Sequence, residues 1–172
     1  MRYAPGLSTC LALKNEVNPP TPTALTRGPG HSARSVHQFQ TGLPLDATEI
    51  AAAYFKWLAN QLMGMIGVDF PEVGKVDLLL FGMPAVRLVQ REHNAERVSF
   101  AVVGGWLVRR PGGTFEFVNS GGGESYAVLD GFQPRLPWIL YRFTHAWVHD
   151  VVMRKFASEI KKTSQDALGE AE

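Results

Sequence analysis

A single cysteine, Cys10, occurs in the 172 residues, which excludes an internal disulfide and leaves no CxxC pair for zinc or redox chemistry. Neither sign of charge dominates. The 17 Lys and Arg are set against 16 Asp and Glu, so no overall field draws the chain onto nucleic acid or an anionic membrane. Long apolar runs are missing too. A bilayer span takes about 18 to 20 apolar residues, and residues 76–89 are interrupted by Asp77, Gly82, Pro84 and Arg87. Leu7-Ser8-Thr9-Cys10 loosely imitates a lipid-attachment box, but Arg2, Pro5 and Gly6 leave no apolar core for an export signal ahead of it. Gly121-Gly122-Gly123 lacks the Lys-Ser/Thr and the helix of a phosphate-binding loop. These absences point to a cytoplasmic chain with no cofactor, no metal, no nucleic-acid partner and no membrane span.

What is present suits one domain. Apolar residues make up 45% of the chain, enough at this length for a single core. Residues 1–34 hold five of the 11 prolines, Pro5, Pro19, Pro20, Pro22 and Pro29, and read as a disordered leader that cannot bury enough apolar surface to offset its ordering entropy. Residues 163–172 are polar and acidic and read as a disordered tail. The domain is expected over 35–162.

Residues 35–41 (SVHQFQT) read as a first strand. Asp46 with Glu49 three residues on forms a capping box, and the helix it opens is expected over 47–65, with Ile50, Tyr54, Trp57, Leu58, Gln61 and Met65 near one face. From Val76 onward, short β-branched and aromatic runs are separated by Gly82-Met83-Pro84, His93-Asn94-Ala95-Glu96, Pro111-Gly112-Gly113 and the glycine triplet. Such spacing means antiparallel hairpins. Gly104-Gly105 before Trp106 marks a bulge or sharp bend. The result is an α+β fold: a curved antiparallel sheet of about six strands, a helix after the first strand, and a long C-terminal helix closing the sheet.

That closing helix, Pro137 to Lys162, carries two apolar faces. At about 100° per residue, Trp138, Tyr141, His145, Val148, His149, Val152, Met153, Phe156 and Ile160 make one stripe along its length. Leu140, Phe143, Trp147 and Val151 make a second, shorter one. The first stripe suits the sheet. The second needs other cover, either the Asp46 helix or a homodimer through Phe143 and Trp147.

Strand, helix, curved antiparallel strands and long closing helix, together with Gly104-Gly105-Trp106 and Gly131-Phe132 leading to Leu136-Pro137-Trp138, resemble the helix-grip fold of the SRPBCC superfamily. That group includes START-like lipid carriers, aromatic and polyketide cyclases and pollen-allergen-type carriers. The resemblance covers about residues 35–162 and implies an apolar cavity between sheet and closing helix, but no catalytic residue.

Within that frame, the expected ligand-binding residues are Trp106, Phe117, Tyr126, Phe132, Tyr141, His145, His149 and Val152. His145 and His149, at i and i+4, share one helix side, but Ala146 follows His145 where a zincin motif has Glu. They read as polar fixtures of an apolar site, or as a general acid/base pair in a cyclase, dehydratase or hydrolase. Arg87, Arg91, Arg109 and Arg110 read as solvated strand and hairpin positions. The leading expectation is binding or transport of a small apolar or aromatic ligand. Catalysis through His145 or His149, and a protein interface through Leu140, Phe143, Trp147 and Val151, are the alternatives.

Overall fold

A computed structural model of the chain describes residues 22–28, 32–41, 45–60, 65–137 and 151–160. Eight strands, β1 (Thr23–Arg27), β2 (Ala33–Gln40), β3 (Ile66–Asp69), β4 (Lys75–Leu80), β5 (Met83–His93), β6 (Arg97–Gly104), β7 (Thr114–Gly121) and β8 (Glu124–Phe132), form one open, curved antiparallel sheet in the order β1-β2-β8-β7-β6-β5-β4-β3. One helix, α1 (Ala47–Ala59), lies between β2 and β3 in the chain, and residues 151–160 are helical.

Two strands exceed the sequence-based expectation, and α1 therefore follows the second strand. Residues 23–27, which composition placed in the leader, pair with β2 through Arg27↔Ala33 and Thr26↔Arg34. Ile66–Asp69 pair with β4, although periodicity carried the helix to Met65. The capping box at the other end of α1 forms as expected: the Asp46 carboxylate accepts from the Glu49 N–H at 2.8 Å, and the Glu49 carboxylate accepts from the Asp46 N–H at 2.9 Å. The helix stops at Asn60, whose side-chain amide donates to the Lys56 carbonyl at 3.0 Å. Competition for the backbone by a short polar side chain is the physical reason for the early stop. Gln61 lies outside the described residues, and Met65 is exposed rather than on the helix's core face.

Ala47, Ile50, Ala51, Tyr54, Phe55 and Leu58 recur at three- and four-residue steps, and α1 buries them. Tyr54 meets Phe115 and Phe117 of β7, and Phe55 meets Phe100 of β6. Phe156 of the helical segment 151–160 contacts Phe39 of β2, Tyr54 and Trp57. Both helical pieces thus cover the same face of the sheet, and their core is mainly aromatic. On the reverse face, ion pairs Asp77–Arg87 (3.5 Å) and Arg97–Glu116 lace the strands. Val36, Val118, Tyr126 and Val128 form a second, small buried cluster there.

The β6–β7 loop is clasped on both sides. A Cβ on Gly105 (φ +120°) would stand 2.2 Å from the Ala85 carbonyl oxygen of β5, and one on Gly113 (φ +86°) would stand 2.6 Å from that of Asp130 in β8. Between these two close approaches, Trp106 and Leu107 donate to the Pro84 and Ala85 carbonyls at 3.1 Å each. The expected bend at Gly104-Gly105 is therefore present, and β6 ends at Gly104.

Candidate functional site

Alternation along β2 puts Ala33, Ser35, His37 and Phe39 on the helix-bearing face, and Arg34, Val36, Gln38 and Gln40 on the reverse. Register then assembles the neighbours. Ser35 stands opposite Leu129, His37 opposite Ala127, and Phe39 opposite Ser125. One step further across the sheet, Phe117 stands opposite Ala127, and Tyr54 covers Phe117 at a ring separation of 5.2 Å. A polar column of Ser35, His37 and Ser125 therefore runs along an otherwise apolar floor of Ala33, Phe39, Ala127, Leu129 and Phe117.

Two groups in that column are held without a partner. Ser35 is 0% and Ser125 1% exposed, and neither hydroxyl has a hydrogen-bond partner. An unmet buried hydroxyl costs about 1–3 kcal/mol, so a fold tolerates it where something else is gained. Ser120, at the β7 irregularity, is the third such hydroxyl among the described residues. Tyr54 adds a phenol that burial pushes well above its ordinary pKa, keeping it protonated and able to donate.

Segment 151–160 covers only part of this floor. Val152, Met153, Phe156 and Ile160 are buried in the core, and Phe156 seats on Phe39 at 5.7 Å in an edge-to-face contact. Beneath Phe156 the space is filled by rings. Ser35 and His37 lie further back along β2, toward Ala33, beside the point where β8 delivers the chain to residues 133–137.

Searches against known proteins give little beyond this geometry. No protein-family model and no curated protein sequence matches the chain. Among solved structures, the chain is similar to CalU16 from Micromonospora echinospora, with 14% identity over 84% of this chain and 91% of that one, and a TM-score of 0.41.

The sequence-selected residues scatter. Phe117 and Phe132 are buried in the main core, at 0% and 4% exposure, and Val152 joins them there. Tyr126 belongs to the reverse-face cluster, where Glu124 lies 3.4 Å from its hydroxyl, so the sheet itself separates it from Phe117. Trp106 is 37% exposed on the β6–β7 loop and lines no interior. Tyr141, His145, His149, Leu140, Phe143 and Trp147 lie outside the described residues, while Val151 is half-buried. Among the described residues no group of three His, Cys, Asp or Glu could hold a metal ion, and no helix is long and apolar enough to cross a membrane. The column Ser35, His37 and Ser125 was missed because SVHQF offers two mixed alternating faces, and the more polar one is the one buried.

Proposed function

We propose that the chain binds a small, largely apolar or aromatic molecule bearing one polar group, held between the helix-bearing face of the sheet and the C-terminal helix. The observation that carries this reading is the fully buried, unpartnered hydroxyl of Ser35, with His37 two residues along the same face of β2. Sites of this kind are apolar surfaces with a few converging polar groups, and a ligand oxygen or nitrogen would satisfy the Ser35 hydroxyl beside His37. The element order supports it as well: strand, helix, antiparallel hairpins, helix is the helix-grip plan, here extended by β1 and β3. The rings around Phe156 confine the room for a ligand to the Ser35–Ala127 stretch. Tyr141, His145 and His149 remain fixtures of the same space in this reading.

Fluorescence titration with 1-anilinonaphthalene-8-sulfonate, an aromatic anion, tests the proposal. One-to-one binding is expected, and Ser35→Ala should weaken it about tenfold, the scale of one lost hydrogen bond. Melting temperature should hold or rise, because an unmet buried group is removed. Phe81→Ser, far from the column, should leave the titration unchanged. Absence of stoichiometric binding, or equal binding by Ser35→Ala, would overturn the reading.

A further inference from the structure

We propose that the end of the sheet carrying the β4–β5 turn and the β6–β7 loop docks on an anionic lipid surface. Hydrogen bonds and register join its parts into one strip. Phe81 donates to the Met65 carbonyl at 2.8 Å, Met83 stands opposite Leu80, and Trp106 donates to the Pro84 carbonyl at 3.1 Å. Along that strip Met65 is 43%, Phe81 67%, Met83 54% and Trp106 37% exposed. Four large apolar side chains at turn tips are costly in water.

Positive charge flanks them. The same loop carries Arg109 and Arg110, and Arg135 is tied to it by the Arg135 N–H donating to the Leu107 carbonyl at 2.8 Å. All three are exposed, and none has an acidic partner among the described residues. The acids described nearest this end are already paired, Asp130 with Arg34 at 3.9 Å and Asp77 with Arg87 at 3.5 Å. The opposite end gathers Asp46, Glu49, Glu72, Glu92, Glu96 and Glu124 at the helix start and the other three turns, set against Lys75, Arg91 and Arg97. A formal net charge of +1 therefore conceals a difference in charge between the two ends of the strands.

Protruding apolar tips ringed by arginine match the headgroup boundary of an anionic bilayer, where Trp sits at the polar–apolar junction and each Lys or Arg near the surface adds attraction. Nucleic acid would use the arginines but gain nothing from Met65, Phe81 and Met83. The surface stands independently of any occupant of the interior.

Co-sedimentation with vesicles of phosphatidylcholine, alone or mixed with phosphatidylserine, decides the matter. Binding to the mixed vesicles is expected, falling as salt rises. Arg109→Ala with Arg110→Ala should weaken it about thirtyfold, and Phe81→Ser with Met83→Ser should weaken it at every salt concentration. These positions are exposed, so circular dichroism should report unchanged folding. No sedimentation with phosphatidylserine at low salt, or none of these losses, would overturn the proposal. Tight binding of a short DNA duplex that is indifferent to Phe81→Ser and Met83→Ser would assign the surface to nucleic acid and overturn it equally.

Discussion

Tyr54 concentrates several roles in one side chain. Its ring touches Phe55, Trp57, Phe115, Phe117 and Phe156, so it joins α1, β7 and the closing segment. Burial raises its pKa, and burial followed by the Glu124 carboxylate raises that of Tyr126. Both phenols therefore keep their protons in the folded state above pH 10, where an unfolded tyrosine loses its own. The folded chain then holds more protons than the unfolded one, and stability must fall as pH rises past about 10. Urea melts from pH 8 to 11 should show this decline. Tyr54→Phe should flatten it without abolishing it, since Tyr126 contributes separately. The ring stack itself should survive the change.

At the scale of elements, the glycines around the β6–β7 loop are the most demanding positions. Gly105→Ala would drive a methyl group into the Ala85 carbonyl at a φ that favours glycine. A loss of about 2–4 kcal/mol is expected, read as a lower urea midpoint with an unchanged slope. Much of this layer was legible beforehand. Asp46 and Glu49 announced the helix start, the glycine-rich separators announced the hairpins, and Gly104-Gly105 announced the bend. Where the helix stops was not legible, because Gln61 to Met65 continue the apolar period past Asn60 and only the side-chain contact to Lys56 ends it. β3 was hidden for a related reason: Ile66–Asp69 is a four-residue strand whose stability comes from β4, not from its own pattern. The polar column was hidden because alternation in β2 defines two faces without saying which is buried.

For the whole molecule, β1 matters more than its composition suggested. It covers the Ala33–Val36 half of the outer edge of β2, and a chain beginning at Ser32 would leave β2 paired with β8 alone, its whole outer edge bare. Such a truncation should melt several degrees lower and scatter more light at equal concentration than the full chain. The charge polarity also belongs to this scale. Summed over the sequence it vanishes, and it emerges only when successive turns of the meander are sorted to alternate ends of the sheet. Finally, the clasp formed by Gly105 and Gly113 has a kinetic meaning. A segment fastened to β5 on one side and β8 on the other arrives at any encounter already in shape, so its association sacrifices little chain freedom and its engaged and unengaged forms should superpose.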